Sequence, residues 1–144
     1  TFETLMEVNV NAFIPSEYIE IEEQKLDMYK KISAISSKED YYNVQDEMED
    51  RYGEMPASVS NLLDIAYIKA VFHTKGVVRV SQNRDKVVIA FKKDAAADPA
   101  ALTSMIASSG GRLMFTANDA GGYLTCKVEK DVLSELRELA ESIK

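Results

Sequence analysis

The fold of this chain is decided by residues 57–91, which read ASVSNLLDIAYIKAVFHTKGVVRVSQNRDKVVIAF. Up to about residue 75 the apolar side chains recur at helical spacing around much of the circumference, which predicts a helix packed on two sides. Gly76 is expected to end this helix. Two runs rich in β-branched residues follow, at 77–81 and 86–91, and the polar stretch 82–85 between them indicates a β-hairpin.

On the N-terminal side of this stretch, the sequence predicts one strand and two helices. Apolar and polar residues alternate over 6–12, which is typical of a half-buried strand. A helix is expected over about 22–35, with a buried face formed by Leu26, Tyr29, Ile32 and Ile35. A second helix should open at Ser37, where Asp40 completes the spacing of a capping box, and extend to about Tyr52.

On the C-terminal side, a second set of strands and helices is predicted from turn and capping signals. Asp98-Pro99 combines an N-cap with proline at the first helical position, and the helix it opens should close at Gly110-Gly111. Strands are expected at 112–116 and 123–128, on either side of a turn. Asp131 should cap a final helix whose apolar residues are Val132, Leu133, Leu136, Leu139, Ala140 and Ile143.

The resulting element order is β-ααα-ββ-α-ββ-α, and it defines the fold class. Because helices and hairpins occur in clusters, we expect an α+β fold with a mostly antiparallel sheet packed against helices. At 144 residues, a single domain over 1–144 is expected, with a helical acidic part at about 14–76 and a sheet-rich part at about 77–144. The chain opens at Thr1 without methionine, so we expect it to be a piece of a longer protein.

The net charge of −7 is confined to one segment. Residues 14–55 contain 12 acidic and 5 basic residues, whereas the rest of the chain contains 12 of each sign. Such a segment repels a phosphate backbone, which needs a basic footprint, and attracts a basic protein surface. We therefore expect no nucleic-acid binding. The simpler interpretation, an acidic face that only aids solubility, stays open at this point.

Catalytic chemistry is not indicated anywhere in the sequence. No phosphate-binding loop of the Gly-x-x-x-x-Gly-Lys-Ser/Thr type occurs, and the single histidine, His73, excludes a histidine-based metal cluster. The single cysteine, Cys126, cannot form an internal disulfide, which fits a reducing cytoplasm. No apolar run is long enough to span a membrane. We expect a cytoplasmic, monomeric protein module that is not an enzyme and has no catalytic residues, cofactor or metal.

Three blocks of the sequence resemble the motifs of the TRCF domain, the C-terminal regulatory domain of bacterial transcription-repair coupling factors. The segment 12–19, AFIPSEYI, resembles its opening motif, aliphatic-Pro-x-x-Tyr-Ile. The segment 26–32, LDMYKKI, is similar to its Arg-Leu-x-x-Tyr-basic-basic-Ile/Leu helix, with Lys25 where an arginine is common. The most specific block, EMEDRYGEMP at 47–56, is similar to Glu-Leu-x-Asp-Arg-Phe-Gly-x-x-Pro. The resemblance covers about residues 12–91, and the sequence beyond Lys92 shows no motif.

The resemblance implies a non-catalytic, autoinhibitory role within a larger protein. Its parent would be an ATP-dependent DNA translocase that removes stalled RNA polymerase and recruits nucleotide excision repair, with ATP and magnesium bound in an upstream motor. This domain would pack on the UvrB-like module of the parent and mask the surface that UvrA binds. The family's masking contacts fall here on Glu47, Asp50 and Arg51, with Asp46 nearby.

Helical geometry supports this assignment for the predicted second helix. Glu47 and Asp50 fall about 60° apart on the helix and away from its apolar stripe, so both are expected to face solvent. Arg51 lies four residues after Glu47, in the favourable orientation for an intrahelical ion pair. Three alternatives stay open: an ordinary surface ion pair, a structural cap without a masking role, and an acidic adaptor for another repair or transcription protein.

Overall fold

The computed structural model describes residues 2–95 and 97–144 and contains two compact units. The first unit comprises the residues up to Asn9 together with Val71–Lys144, and the second comprises Val10–Ala70. The chain therefore passes between the units at residues 9/10 and again at 70/71. The second of these crossings lies inside the long central helix.

The described residues form five helices and five strands in the predicted order. The helices are α1 (Glu22–Ser33), α2 (Lys38–Tyr52), α3 (Ala57–Thr74), α4 (Pro99–Ala107) and α5 (Val132–Ser142). The strands are β1 (Leu5–Glu7), β2 (Val77–Asn83), β3 (Lys86–Phe91), β4 (Leu113–Thr116) and β5 (Tyr123–Lys127). The α+β class and the mostly antiparallel sheet are confirmed.

The five strands form one sheet in the order β1-β2-β3-β5-β4. β1 pairs in parallel with β2, whereas the other neighbouring strands are antiparallel. The predicted hairpin between β2 and β3 is confirmed, and Asn83 pairs with Lys86 across a two-residue turn. The core of this unit consists of buried residues from the sheet and α5, among them Val80, Val87, Ile89, Leu124, Cys126, Leu136 and Ala140.

The loop between β4 and β5 contains two glycines that no other residue can replace without collision. Gly121 and Gly122 have φ values of 120° and 83°, in the left-handed region. A Cβ atom on Gly121 would lie 2.6 Å from the carbonyl oxygen of Lys92, and one on Gly122 would lie 2.5 Å from the ring of Phe115. The side chain of Asn118 holds the loop by accepting hydrogen bonds from the backbone N–H groups of Ala120 and Gly122.

The first strand is shorter than its sequence pattern predicts. The alternation of half-buried and exposed residues continues from Met6 to Ala12, as expected, but only Leu5–Glu7 pairs with β2. Beyond the strand, the Asn9 N–H donates to the side-chain oxygen of Gln82 and not to a backbone carbonyl. The prediction of a strand over 6–12 was therefore wrong in extent. The Asn9 N–H bonds the Gln82 side chain at the point where the next backbone hydrogen bond with β2 would form.

The buried face of α1 also differs from the prediction. Leu26 is 54% exposed, whereas Met28, two residues later, is completely buried and lines up with Ile32 and Ile35 at a spacing of four and then three residues. Tyr29 is half-buried, and its hydroxyl accepts a hydrogen bond from the Ile14 N–H. Both stripes satisfy helical spacing in the sequence, and packing within the second unit selects the one that contains Met28.

Candidate protein-docking site

The site lies on α2, whose ends are fixed by the capping interactions that the sequence predicts. The Ser37 hydroxyl accepts from the Asp40 N–H at 3.0 Å. The Asp40 carboxylate accepts from the N–H and hydroxyl of Ser36, both at 3.0 Å, and these bonds hold the pKa of Asp40 below its ordinary value. Gly53, with φ of 88°, ends the helix as predicted. These caps fix the residues at which α2 begins and ends.

The inward face of α2 is anchored by Tyr41 and Met48, which are both buried. The Tyr41 hydroxyl donates to Asp64 on α3 at 2.6 Å, and the Tyr18 hydroxyl donates to the Gly53 carbonyl at 2.8 Å. With one face fixed in this way, the four predicted site residues come together on the outer side of the helix. We call Asp46, Glu47, Asp50 and Arg51 the docking face.

Glu47 is the centre of an ion-pair cluster that joins two helices. Its oxygen Oε2 accepts from Nη1 of Arg51 at 2.9 Å, which is the predicted intrahelical pair, and from Nζ of Lys31 on α1 at 2.8 Å. Lys31 also lies 3.5 Å from Asp27. The Glu47 side chain is 33% exposed, so it reaches solvent as expected, although its carboxylate is already paired. Two cations already hold it against the helix surface.

The two cations shift the titration of Glu47. The hydrogen bond from Lys31 is the main reason why the pKa of the Glu47 carboxyl lies below its ordinary value; desolvation opposes this bond, and the bond from Arg51 adds to it. The Lys31–Glu47 bond also raises the pKa of the Lys31 ammonium. Both pKa shifts favour the ionised forms of Glu47 and Lys31 at neutral pH.

We expect the cluster to be visible in an acid titration of the Glu47 carboxyl. A depressed pKa means that the pairing stabilises the fold at neutral pH and is lost as the pH falls through the folded-state pKa of Glu47. Lys31→Gln should raise this pKa towards its ordinary value, because the largest cause of the shift is removed. Carbon-detected NMR of the side-chain carboxyl measures it. An unchanged pKa in the variant would show that Lys31 does not bond Glu47 in solution.

Arg51 is more constrained than a surface arginine usually is. Besides Glu47, its Nη1 lies 3.9 Å from the sulfur of Met28, and its guanidinium carbon lies 5.0 Å from the centre of the Tyr52 ring. A cation–π contact with an aromatic ring restricts the orientation of the guanidinium plane. Arg51 therefore has a defined direction before any partner arrives.

Asp46 and Asp50 complete the docking face and are both exposed, as predicted. None of the described residues donates a hydrogen bond to either carboxylate or forms a salt bridge with it. They are the groups of this face that are most accessible to an external cation. Lys31, like its neighbour Asp27, belongs to the cluster but was not predicted as a site residue from the sequence. It lies in the basic pair of the LDMYKKI block, but its bond to Glu47 depends on how α1 packs against α2.

The clefts lined by described residues include one beside the docking face and a mainly apolar one in the sheet unit. A cleft of about 240 Å³ adjoins the docking face and is lined by Lys31, Ala34, Ile35, Asp40, Asn43, Val44 and Glu47. A cleft of about 330 Å³ in the sheet unit is mainly apolar, with Phe91, Leu102, Ile106 and Phe115 among its lining residues.

Within residues 2–95 and 97–144, no group of three or more potential metal ligands is found, and no helix is long and apolar enough to cross a membrane.

The chain matches the TRCF domain model over residues 8–102, and it therefore belongs to the TRCF domain family. It corresponds to the C-terminal domain of transcription-repair coupling factor. A crystal structure of the C-terminal domain of transcription-repair coupling factor superposes with a TM-score of 0.88 at 26% identity, covering 98% of this chain and 91% of the other. The likeness therefore extends well past Lys92, where the sequence shows no motif.

The chain spans about a tenth of the length of the curated relatives that it matches. The transcription-repair-coupling factor of Bacillus subtilis (strain 168) is 35% identical over 97 residues, which are 67% of this chain and 8% of that protein. The transcription-repair-coupling factor of Rickettsia prowazekii (strain Madrid E) is 26% identical over 132 residues, which are 92% of this chain and 12% of that protein. The family membership implies a role in DNA repair.

Proposed function

We propose that this domain is a non-catalytic autoinhibitory clamp. In the proposal, Glu47, Asp50 and Arg51 dock on a basic surface of the UvrB-like module of the parent protein and thereby mask the surface that UvrA binds. The observation that carries the proposal is the coincidence of the family's EMEDRYGEMP block with the docking face. The three residues that the resemblance implicates lie on one helix, and the exposed carboxylate of Asp46 lies beside them.

The chemistry of the docking face suits a reversible contact with arginines. A carboxylate such as Asp50 can form a bidentate, charge-assisted pair with a guanidinium, and the pair strengthens as water is excluded. Arg51, already oriented by Glu47 and Tyr52, offers a complementary cation for an acidic or carbonyl group. A clamp that must open needs a modest, polar interface of the inter-domain kind.

The larger function belongs to the parent protein in this proposal. The parent translocates on DNA with ATP and magnesium bound in an upstream motor, removes stalled RNA polymerase and recruits UvrA. This domain contributes neither a nucleotide site nor a DNA-binding surface, and it acts as a monomeric module within the chain. Its acidic segment is repelled by DNA and attracted by a basic protein surface.

The clamp is tested by UvrA binding to the full-length parent, to a version without this domain, and to the Glu47→Ala/Asp50→Ala double variant. Loss of about 2–3 kcal/mol of docking free energy corresponds to roughly 30- to 150-fold tighter UvrA binding. The gain in UvrA affinity is limited by the fraction of parent molecules in which this domain is already undocked. Binding is measured by titration calorimetry or surface plasmon resonance.

Each alternative gives a different result in this experiment. If deletion enhances UvrA binding but the double variant matches wild type, the domain is a clamp that docks through other residues. If neither change has an effect, the clamp proposal is wrong, and a structural cap or an adaptor for another protein is favoured.

A further inference from the structure

The bonding of Glu47 has a consequence for how the docking face is regulated. Lys31 and Arg51 both bond the same oxygen, Oε2, at 2.8 and 2.9 Å. Together with Asp27, the cluster contains two positive and two negative charges and is neutral as a whole. A partner's cation that approaches Glu47 therefore meets a carboxylate that is already compensated.

We propose that Lys31 is an internal competitor for Glu47, which a partner's arginine must displace when the domain docks. This inference rests on the proposed function, because it concerns the same docking face. Lys31 occupies the position of the partner's cation in the undocked domain and so weakens docking. No covalent bond or proton changes place, since docking only exchanges one ion pair for another.

Lys31 is better suited to leave than Arg51. Arg51 lies on the same helix as Glu47 and has two further contacts, with Met28 and Tyr52. Lys31 comes from a different helix, and its ammonium is a hydrated point charge on a flexible stem. Its side chain is 43% exposed, so water reaches the pair and exchange needs no opening of the core.

Asp27 provides a place for the displaced ammonium. It lies one turn before Lys31 on α1, and its carboxylate is 3.5 Å from Nζ in the undocked domain. A small movement of the Lys31 side chain towards Asp27 keeps the ammonium paired while Glu47 is released. The cost of exchange is then limited to one exposed ion pair, a contact that is weak in general.

The cleft beside the docking face fits an incoming arginine. Its lining includes the charged residues Lys31, Asp40 and Glu47 and the apolar residues Ile35 and Val44. The aliphatic stem of an arginine can lie along such apolar residues while its guanidinium bonds carboxylates.

The experiment compares Lys31→Gln with Lys30→Gln in the full-length parent, with UvrA affinity as the measurement. Lys30 is the matched control, because it is exposed, adjacent on α1, and in no ion pair with a described residue. Both variants lose one positive charge. Removal of the competitor should tighten docking, so Lys31→Gln is expected to bind UvrA two- to fivefold more weakly than Lys30→Gln, which corresponds to about 0.4–1 kcal/mol.

A second comparison uses a Glu47→Gln background, in which Asp50 keeps the clamp partly closed. There Lys31→Gln and Lys30→Gln should bind UvrA equally, because Lys31 has lost the carboxylate for which it competes. Lys31→Arg in the native background should bind UvrA at least as well as wild type, since a guanidinium competes for Glu47 as effectively as an ammonium.

The outcomes separate the inference from the proposed function. If Lys31→Gln matches Lys30→Gln, or binds UvrA more tightly as a purely structural link between α1 and α2 would require, Lys31 is not a competitor. The clamp itself still stands in that case, provided that Glu47→Ala/Asp50→Ala raises UvrA affinity. If that double variant has no effect, docking does not use this face, and both the clamp residues and the competitor are wrong.

Discussion

Replacing Glu47 and Asp50 together by lysine is expected to raise the UvrA affinity of the full-length parent to that of a parent without this domain. The change removes two carboxylates from the docking face and places two ammonium groups against a basic surface. Like charges about 4 Å apart repel by about 1 kcal/mol in bulk water and by about 4 kcal/mol near a protein surface. Together with the lost contacts, this repulsion should open the clamp completely. If the closed state dominates in the wild type, UvrA affinity should then rise of the order of 100-fold or more.

The matched control for this reversal is Glu17→Lys with Glu54→Lys. Both residues are exposed, line a cleft with Tyr18 and lie outside α2. The two double variants change the net charge equally. UvrA affinity in the control should stay close to wild type, and an equal increase in both would show that net charge, and not the docking face, governs docking.

Met28→Ala is expected to cost about 2–5 kcal/mol of unfolding free energy, the range for truncation of a large buried aliphatic side chain. Met28 is completely buried, so its removal leaves a cavity among the core residues of the helical unit. Arg51 would also lose its contact with the sulfur at 3.9 Å. Chemical denaturation followed by circular dichroism gives the change in free energy.

Leu26→Ala is the internal control, since it removes a similar volume two residues away on the same helix. Leu26 is 54% exposed, and a substitution at such a position usually changes stability by no more than about 0.5 kcal/mol. If Leu26→Ala is the more damaging of the two, α1 does not bury the face that contains Met28, and the face predicted from the sequence is the buried one.

Local signals in the sequence predict the fold well. Helix ends were located from Ser37, Gly53, Asp98 and Asp131, because a cap depends only on residues within one turn. The β2–β3 hairpin was located for the same reason, since its turn lies between two β-branched runs. The Glu47–Arg51 pair is also local, at a spacing of four residues on one helix.

The features that the sequence did not predict depend on contacts between distant segments. The choice between Leu26 and Met28 is made by the packing of α1, and the end of β1 by the side chain of Gln82, which lies 73 residues after Asn9. The Lys31–Glu47 bond joins two helices, so no periodicity within either helix reveals it.

The glycine pair between β4 and β5 has a consequence for how the second half of this family diverges. Gly121 is restricted by the carbonyl groups of Phe91 and Lys92, and Gly122 by its positive φ and the carbonyl oxygen of Thr116, so a side chain is unfavourable at either position. Asn118 is constrained in a different way, through the hydrogen bonds that its side chain accepts from Ala120 and Gly122. We therefore expect relatives that keep this loop conformation to keep glycine at both positions, even where the surrounding sequence shares no longer motif with this chain.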